Sequence, residues 1–349
     1  MDFAELTTLR LGGPARSVLE VTTEADFLDA VRVADEAGDP VLIVGGGSNL
    51  VVSDSGFDGT AILVRTRGVS VDTEDCDDLA GLCGGVMVTV QAGEDWDGLV
   101  ARAVAENWRG FEALSGIPGT VGATPIQNVG AYGQEVSQTI ARVRVYDRYD
   151  RAVRTMMLAD CGFGYRTSRF KQLAPRYVVL TVAYQLAHGD LGRPIAYAQL
   201  AEALGVEVGA VVPSADVRAA VLDLRRSKGM VLDPDDHDTW SAGSFFTNPV
   251  LDAEAAAALP AEAPRFPQPD GRVKTSAAWL IEHAGYQRGF PGAEGQVSVS
   301  TKHSLALTNR GGATTGELLD LARELRGGVR ARFGIKLEPE PTFVGCTLQ

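Results

Sequence analysis

The pattern of apolar and polar residues divides the chain into three parts, and the first part alternates strand and helix signals. A short apolar run at 16–21 precedes Thr22 and Thr23, and apolar residues at helical spacing then continue as far as Gly38. Threonine favours a helix N-cap and glycine a helix C-terminus, so the pattern predicts a helix between them. The run VLIV at 41–44 predicts a buried strand. This order indicates a small α/β subdomain over residues 1–66.

The second part, residues 67–204, carries strand patterns separated by long glycine-rich loops. Apolar or alternating runs at 86–93, 141–147 and 177–186 predict strands. The alternation in the last run predicts a half-buried antiparallel strand. One helix is predicted around residues 99–104. The pattern is typical of an α+β layer.

The third part, residues 205–349, is dominated by helical patterns. Ser214 is a candidate helix cap before apolar residues at helical spacing. Thr314 and Glu317 form a capping-box pattern that predicts a helix running to about Val329. The chain has 349 residues, more than the roughly 250–300 residues at which single cores stop growing. About two or three domains are therefore expected.

Composition narrows the function classes. The net charge of −13 and the pI of about 4.8 disfavour nucleic-acid binding. No apolar run approaches the ~18 residues of a membrane-spanning helix, and the N-terminus lacks signal-peptide features. The acidic run 72–78 predicts a solvated loop. Four cysteines form no CxxC pair and predict reduced thiols in a cytoplasmic protein without a metal site: Cys76, Cys83, Cys161 and Cys346.

Two glycine-rich segments are candidates for binding a phosphate-bearing ligand. The first, GGGSNL at 45–50, follows the predicted strand 41–44, and its glycines would let backbone amides approach a diphosphate. It does not fit the GxGxxG dinucleotide fingerprint, and a simple turn is the alternative interpretation. The second, at 114–136, is a long loop without regular apolar spacing. Such loops inside compact domains are usually functional.

Five motifs in order resemble those of the UDP-N-acetylenolpyruvoylglucosamine reductase (UDP-N-acetylmuramate dehydrogenase) family. They are GGGSNL, GIPGTVGATPIQNVGAYG, YRTSRFK, GSFFTNP and LEPE. The resemblance implies an α+β fold with a two-subdomain FAD-binding unit of the vanillyl-alcohol-oxidase type and a C-terminal α/β substrate-binding domain. The two subdomains would occupy residues 1–66 and 67–204, and the substrate domain residues 205–349. The segment around Tyr197 places the chain in the branch with a tyrosine loop.

The resemblance also implies the reaction. It is the FAD-dependent reduction of UDP-N-acetylglucosamine enolpyruvate to UDP-N-acetylmuramate, with NADPH as co-substrate, in peptidoglycan precursor synthesis. The implied partner is the UDP-sugar; no nucleic acid, membrane or obligate protein partner is expected. The positions that match the family's FAD-binding motifs are Gly45, Gly47, Ser48, Asn49, Leu50, Ile117, Pro118, Gly119, Thr120, Gly122 and Ala123.

Three catalytic residues follow from the matched motifs. Arg166 would bind the enolpyruvyl carboxylate with its planar guanidinium, and Ser244 would deliver a proton to C2. Glu340 matches the catalytic glutamate, although Glu338 would point the same way on a strand and remains an alternative. The implied substrate-binding residues are Tyr165, Tyr197, Lys228, Asn248 and His303.

Other interpretations remain open at this level. For His303, a structural role is the alternative to substrate binding. The chain also has Thr247 where family members often have lysine. Another flavin oxidoreductase on the same fold, such as an alcohol or lactone oxidase, is a rival. A non-catalytic nucleotide-binding module is a second rival.

Overall fold

The computed structural model describes residues 1–73 and 85–349. The chain divides into two compact units, each assembled from separate stretches of sequence. Unit 1 comprises Met1–Ala15, Gly47–Phe57 and Lys228–Gln349, and unit 2 comprises Arg16–Gly46 and Asp58–Ser227. The boundaries 1–66, 67–204 and 205–349 stay a prediction, because they refer to ligand-binding roles rather than to compactness.

The strands of the described residues are numbered in chain order. They are β1 (Ala15–Val21), β2 (Val41–Val44), β3 (Leu50–Val52), β4 (Phe57–Val64), β5 (Val69–Thr73), β6 (Gly85–Gln91), β7 (Trp108–Arg109), β8 (Gly130–Ala131), β9 (Gln134–Glu135), β10 (Ile140–Asp147), β11 (Ala152–Met157), β12 (Tyr177–His188), β13 (Val250–Leu251), β14 (Phe266–Pro267), β15 (Val273–Lys274), β16 (Val297–Val299), β17 (Leu307–Asn309) and β18 (Thr342–Val344).

The α-helices are numbered in the same way. They are α1 (Phe3–Leu6), α2 (Glu24–Ala37), α3 (Trp96–Ala105), α4 (Arg169–Gln172), α5 (Ala198–Leu204), α6 (Ser214–Ser227), α7 (Ala253–Ala257), α8 (Ala277–His283) and α9 (Thr315–Phe333).

Unit 2 begins with the predicted strand–helix–strand pattern, which is confirmed. The Thr23 side chain accepts a hydrogen bond from the Asp26 backbone N–H and caps α2, and Gly38 ends the helix with φ of +67°. Strand β2 pairs in parallel with β4 in a three-stranded sheet of order β1-β4-β2.

A larger antiparallel sheet forms the rest of the framework of unit 2. Its strand order is β11-β10-β12-β6-β5, and β7 also pairs with β12. The prediction that residues 177–186 form a half-buried strand is wrong in one respect: residues 178–184 are all buried. Side chains on both faces of β12 are therefore covered over this stretch, whereas those of the neighbouring strand β6 alternate between buried and half-buried.

Tyr184 on β12 lies in an aromatic cluster and contacts the second glycine-rich loop through its hydroxyl. The Tyr184 ring on β12 lies 4.9 Å from the Phe111 ring, and the Trp96 ring lies 5.2 Å from the Phe111 ring. The Tyr184 hydroxyl is 3.0 Å from the Thr124 hydroxyl. Burial raises the pKa of Tyr184, while the Thr124 hydrogen bond acts in the opposite direction. The protonated Tyr184 phenol therefore holds the loop through its contact with Thr124.

Unit 1 has its own core, to which remote stretches of sequence contribute. Leu9 and Val51 share a buried cluster with Leu280 of α8 and with Leu318 and Leu325 of α9. Strand β18, near the C-terminus, pairs in parallel with β3. The capping box predicted at the start of α9 is confirmed.

The remaining sequence expectations concern cysteines and acidic residues. Cys161 and Cys346 form no disulfide, whereas Cys76 and Cys83 lie outside the described residues. The acidic run 72–78 is predicted to be a loop, but its first residue, Asp72, belongs to strand β5. Residues 74–78 lie outside the described part of the chain. Within residues 1–73 and 85–349, no helix is both long and apolar enough to cross a bilayer.

Candidate active site

The first glycine-rich loop follows β2 and meets the second glycine-rich loop within unit 2. A Cβ atom on Gly45 would lie 2.4 Å from Oγ1 of Thr120, and one on Gly46 would lie 2.6 Å from Cα of Gly119. Real Cβ atoms essentially never come so close to other atoms. Two motifs that are distant in sequence are therefore in contact, and their contact requires glycine.

The continuation of the first loop, residues 47–50, belongs to unit 1. Gly47 has φ of +62°, and a Cβ there would lie 1.9 Å from the Leu6 carbonyl oxygen. The Gly47 carbonyl accepts a hydrogen bond from the Thr8 amide at 3.3 Å, and the Asn49 carbonyl accepts one from the Thr342 amide at 2.9 Å. Ser48 lies between these anchors, and Leu50 begins β3. The turn is thus held on both sides.

The second loop is fixed where strand β6 ends and helix α3 begins. The Gly119 carbonyl accepts a hydrogen bond from the Trp96 amide at 3.1 Å, and the Gly122 amide donates to the Ala92 carbonyl at 2.8 Å. A Cβ on Gly122 would lie 2.5 Å from the Ala92 Cβ. The remaining predicted cofactor residues lie in the same stretch: Ile117, Pro118, Thr120 and Ala123.

Arg166 is held against the end of this loop. Its Nη2 donates to the Gly130 carbonyl at 2.6 Å, and its Nη1 lies 3.5 Å from the Asn128 carbonyl oxygen. The backbone of Arg166 has φ of +53°, a conformation that costs energy for a residue with a side chain. The guanidinium carbon lies 5.4 Å from the centre of the Tyr165 ring. Such strain is typical of functional positions.

Asn128 is a positioning residue that the sequence analysis missed. Its side-chain amide donates to Glu135 at 2.7 Å and to the Gly164 carbonyl at 3.1 Å, and its own φ is +51°. It therefore connects the second loop with the turn that carries Arg166. The available signal was an asparagine inside a glycine-rich segment, because asparagine tolerates the left-handed conformation.

Tyr197 lies beside a second tyrosine from the glycine-rich loop. Its ring centre is 5.6 Å from that of Tyr132, in an edge-to-face arrangement, and 46% of Tyr197 is exposed. Burial raises the pKa of Tyr132, the nearby Arg225 lowers it and Tyr197 raises it. Lys228 follows α6 directly and is half-buried. Arg225, in the last turn of α6, thus places a cation near Tyr132.

Ser244 and Glu340, which are far apart in sequence, are brought together within unit 1. The Glu340 amide donates to the Phe245 carbonyl at 2.9 Å, and Phe246 forms an antiparallel bridge with Pro339. On its other side, Ser244 forms an antiparallel bridge with Ala306. Ser244 and Glu340 are both half-buried. The segment that carries the serine therefore lies between two others.

The two candidate glutamates differ in their surroundings. Glu338 has a side chain that is 62% exposed and forms an ion pair with Lys336 at 3.1 Å. Glu340 is half-buried beside the serine segment. This difference favours Glu340 as the carboxyl group that acts on a ligand.

Asn248 and His303 are both connected to the serine segment. The Asn248 side-chain oxygen accepts a hydrogen bond from the Ala277 amide at 2.9 Å and so holds the first residue of α8. The His303 carbonyl accepts a hydrogen bond from the Ala306 amide at 3.1 Å, which forms the turn next to Ser244. Asn248 therefore has a structural contact in addition to its predicted role.

Each of the two glycine-rich segments carries donor groups that suit a phosphate-bearing cofactor. GGGSNL and IPGTVGA contain backbone amides, hydroxyls and an amide side chain without a charged residue. Closely packed glycine backbone of this kind forms concave sites for phosphate groups. Among the described residues, no group of three or more histidine, cysteine, aspartate or glutamate side chains could hold a metal ion.

Comparison with known proteins identifies both parts of the chain. Residues 15–155 match the FAD binding domain family, and residues 233–344 match the C-terminal domain of UDP-N-acetylenolpyruvoylglucosamine reductase. The predicted fold class, an α+β FAD-binding unit with a separate C-terminal domain, is thereby confirmed.

Whole-length relatives agree with these matches. The UDP-N-acetylenolpyruvoylglucosamine reductase of Cutibacterium acnes is 54% identical over 349 residues, which cover 100% of this chain and 90% of the relative. That of Thermobifida fusca is 56% identical, with 100% and 98% of the two chains covered. The crystal structure of the Thermus caldophilus reductase is similar with a TM-score of 0.65 at 25% identity, and 99% and 97% of the chains are covered. The similarity extends along the entire sequence, and the chain belongs to the UDP-N-acetylenolpyruvoylglucosamine reductase family.

Proposed function

We propose that this chain reduces UDP-N-acetylglucosamine enolpyruvate to UDP-N-acetylmuramate with NADPH, in the cytoplasmic synthesis of peptidoglycan precursors. Family membership over the full length supports the reaction. The observation that carries the catalytic assignment is the pairing of the Ser244 segment with the Glu340 segment in unit 1. Two residues of complementary chemistry thus lie on adjacent, hydrogen-bonded segments although they are far apart in the sequence.

Residues of the two glycine-rich loops would hold FAD. Gly45, Gly119 and Gly122 allow close backbone approach, and Ser48 and Thr120 add hydroxyl groups. A bound FAD supplies hydride chemistry, with NADPH as the source of the hydride and C3 of the enolpyruvyl group as its destination.

Arg166 would bind the enolpyruvyl carboxylate. Addition of hydride to C3 moves negative charge towards C2 and its carboxylate, and a fixed guanidinium stabilises that charge. The hydrogen bond to the Gly130 carbonyl uses one edge of the guanidinium and fixes its direction. A guanidinium is suited to binding a carboxylate because its N–H groups lie in one plane.

Ser244 would deliver the proton that completes the reduction at C2. Hydride at C3 and a proton at C2 together add one molecule of hydrogen to the double bond. Glu340 would lie next to a substrate carboxylate, and two neighbouring carboxyl groups favour a proton on one of them. We assign Glu340 the role of stabilising the negative charge that develops at C2 and its carboxylate before Ser244 delivers the proton.

The remaining predicted residues would bind the UDP-sugar. Tyr165 lies beside Arg166, and Tyr197 is exposed enough to pack against a ligand. Lys228 would pair with the diphosphate, and the amide nitrogen of Asn248 would donate to the substrate while its oxygen caps α8. His303 would contribute from the turn next to Ser244.

Rapid-mixing experiments on Ser244→Ala test this function. In the wild-type protein loaded with FAD, NADPH should bleach the flavin absorbance and the enolpyruvyl sugar nucleotide should restore it. The variant should retain the first phase and slow the second by ~10²–10⁴-fold, the contribution typical of proton transfer. Thr247→Val removes a hydroxyl from the same segment and should leave both phases unchanged.

Two results would contradict the proposal. Equal loss of both phases in Ser244→Ala would exclude a role specific to proton delivery. A wild-type flavin that NADPH bleaches but the sugar nucleotide never restores would favour another flavin oxidoreductase.

A further inference from the structure

Thr8 connects two segments of unit 1 that the proposed function uses. Its amide donates to the Gly47 carbonyl at 3.3 Å, in the loop predicted to hold the cofactor. Its hydroxyl donates to the Ser241 carbonyl at 2.6 Å, three residues before Ser244. One half-buried residue from the N-terminal stretch thus contacts both segments.

Both of these contacts are made to backbone that has little freedom to move. A side chain at Gly47 would collide with the Leu6 carbonyl, so the loop is already pressed against the N-terminal stretch. Ser241 is buried, and its hydroxyl accepts a hydrogen bond from the Gly243 amide at 3.2 Å. This hydrogen bond defines the turn that leads into Ser244.

The residues on both sides of Thr8 are held in place by hydrogen bonds. The Asn309 side-chain amide donates to the carbonyls of Leu9 and Arg10 at 3.1 and 3.2 Å. The Thr7 hydroxyl donates to the Leu11 carbonyl at 3.1 Å. Because β-branched side chains have few rotamers, the Thr8 hydroxyl has a nearly fixed direction.

We propose that Thr8 is a positioning residue that sets the location of Ser244 relative to the glycine loop at 47–49. The inference rests on the proposed roles of Ser244 and of that loop. Its amide fixes the loop, and its hydroxyl fixes the turn before the proton donor. Proton delivery depends strongly on geometry, since a misplacement of about 1 Å can cost ~10²-fold in rate.

Thr8→Val separates the two contacts, because valine retains the shape and the amide but lacks the hydroxyl. FAD affinity, measured by quenching of flavin fluorescence, and reduction by NADPH should stay within about twofold of wild type. Reoxidation by the enolpyruvyl sugar nucleotide should slow by roughly 10–100-fold. Its solvent deuterium isotope effect should increase, because proton transfer then limits the rate.

Three further variants make the test specific. Thr8→Ser keeps the hydroxyl and should restore reoxidation to within about threefold, whereas Thr8→Ala should share the defect of Thr8→Val. Thr60→Val removes a hydroxyl that donates to Asp39 in unit 2, away from Thr8 and from both segments it contacts, and it should behave as wild type.

Defined outcomes would overturn the inference. Wild-type reoxidation in both Thr8→Val and Thr8→Ala would do so, as would a Thr8→Ser variant that is no better than valine. Parallel loss of FAD affinity and of both half-reactions would show a purely structural role. Wild-type protein whose flavin is never reoxidised by the sugar nucleotide would instead overturn the proposed function itself.

Discussion

Two glutamates separated by one residue show how surroundings assign chemistry to a side chain. Glu338 is mostly exposed and paired with Lys336, whereas Glu340 is half-buried and its backbone pairs with the serine segment. We expect Glu340→Gln to lower kcat for the sugar nucleotide by about 10²-fold, because the carboxyl group takes part in charge stabilisation or proton transfer. Glu338→Gln should change kcat by less than about twofold, since an exposed ion pair contributes little. Steady-state kinetics with purified variants measures both.

The same pair shows what the sequence could and could not predict at the residue scale. Alternate residues of an extended strand point to the same side, so sequence reasoning kept both glutamates as candidates. Only the structure distinguishes an exposed carboxylate with a lysine partner from a half-buried one. A larger defect in Glu338→Gln than in Glu340→Gln would reverse the assignment.

At the scale of elements, the contact between the two glycine-rich loops is the feature with the clearest consequence. A Cβ on Gly46 would lie 2.6 Å from Cα and 3.3 Å from N of Gly119, and backbone atoms cannot turn away as a flexible side chain can. We expect Gly46→Ala to raise the Kd for FAD at least about tenfold, because one loop must shift from the other. Titration of the apoprotein followed by flavin fluorescence measures this change.

A glycine in α9 provides the matched control. Gly327 has open space where a Cβ would be placed and lies in the middle of the helix. Gly327→Ala should leave FAD affinity unchanged and raise the free energy of unfolding by about 0.5–1 kcal/mol. Unchanged FAD binding in Gly46→Ala would show that this contact is not needed for the cofactor.

Elements with local signals were predictable, whereas the contacts between elements were not. Helices α2 and α9 begin at capping threonines, and α2 ends at a glycine with positive φ, as their sequences indicate. The loop contact at Gly46 and the anchoring of Arg166 by Asn128 and Gly130 depend on tertiary packing. No local pattern encodes these distances.

The molecule as a whole is assembled from interleaved stretches, which limits sequence reasoning in a different way. Strand β3 pairs with β18 across nearly the full length of the chain, and the N-terminal Leu9 joins the core of α8 and α9. Apolar periodicity identifies each of these elements but carries no information about such remote partners. The motifs supplied that information only through their resemblance to a family.

The charge of the whole molecule leads to a prediction about how it binds an anionic ligand. The net charge of −13 repels the diphosphate of UDP, so binding requires local cations such as Lys228. The Debye length is ~10 Å at 0.1 M salt and shortens as salt is added, so added salt weakens this local attraction. We expect the Kd for UDP, measured by titration calorimetry, to rise about three- to tenfold when NaCl is raised from about 20 to about 300 mM.

The variant Lys228→Ala tests where this salt dependence comes from. Its Kd for UDP should be higher than that of the wild type at low salt and should change less with salt. The reason is that the variant lacks the attraction between Lys228 and the diphosphate, which salt screens in the wild type. Lys336→Ala, which removes an exposed lysine paired with Glu338, should keep the wild-type salt dependence. An equal salt dependence in wild type and Lys228→Ala would show that the attraction comes from other cations.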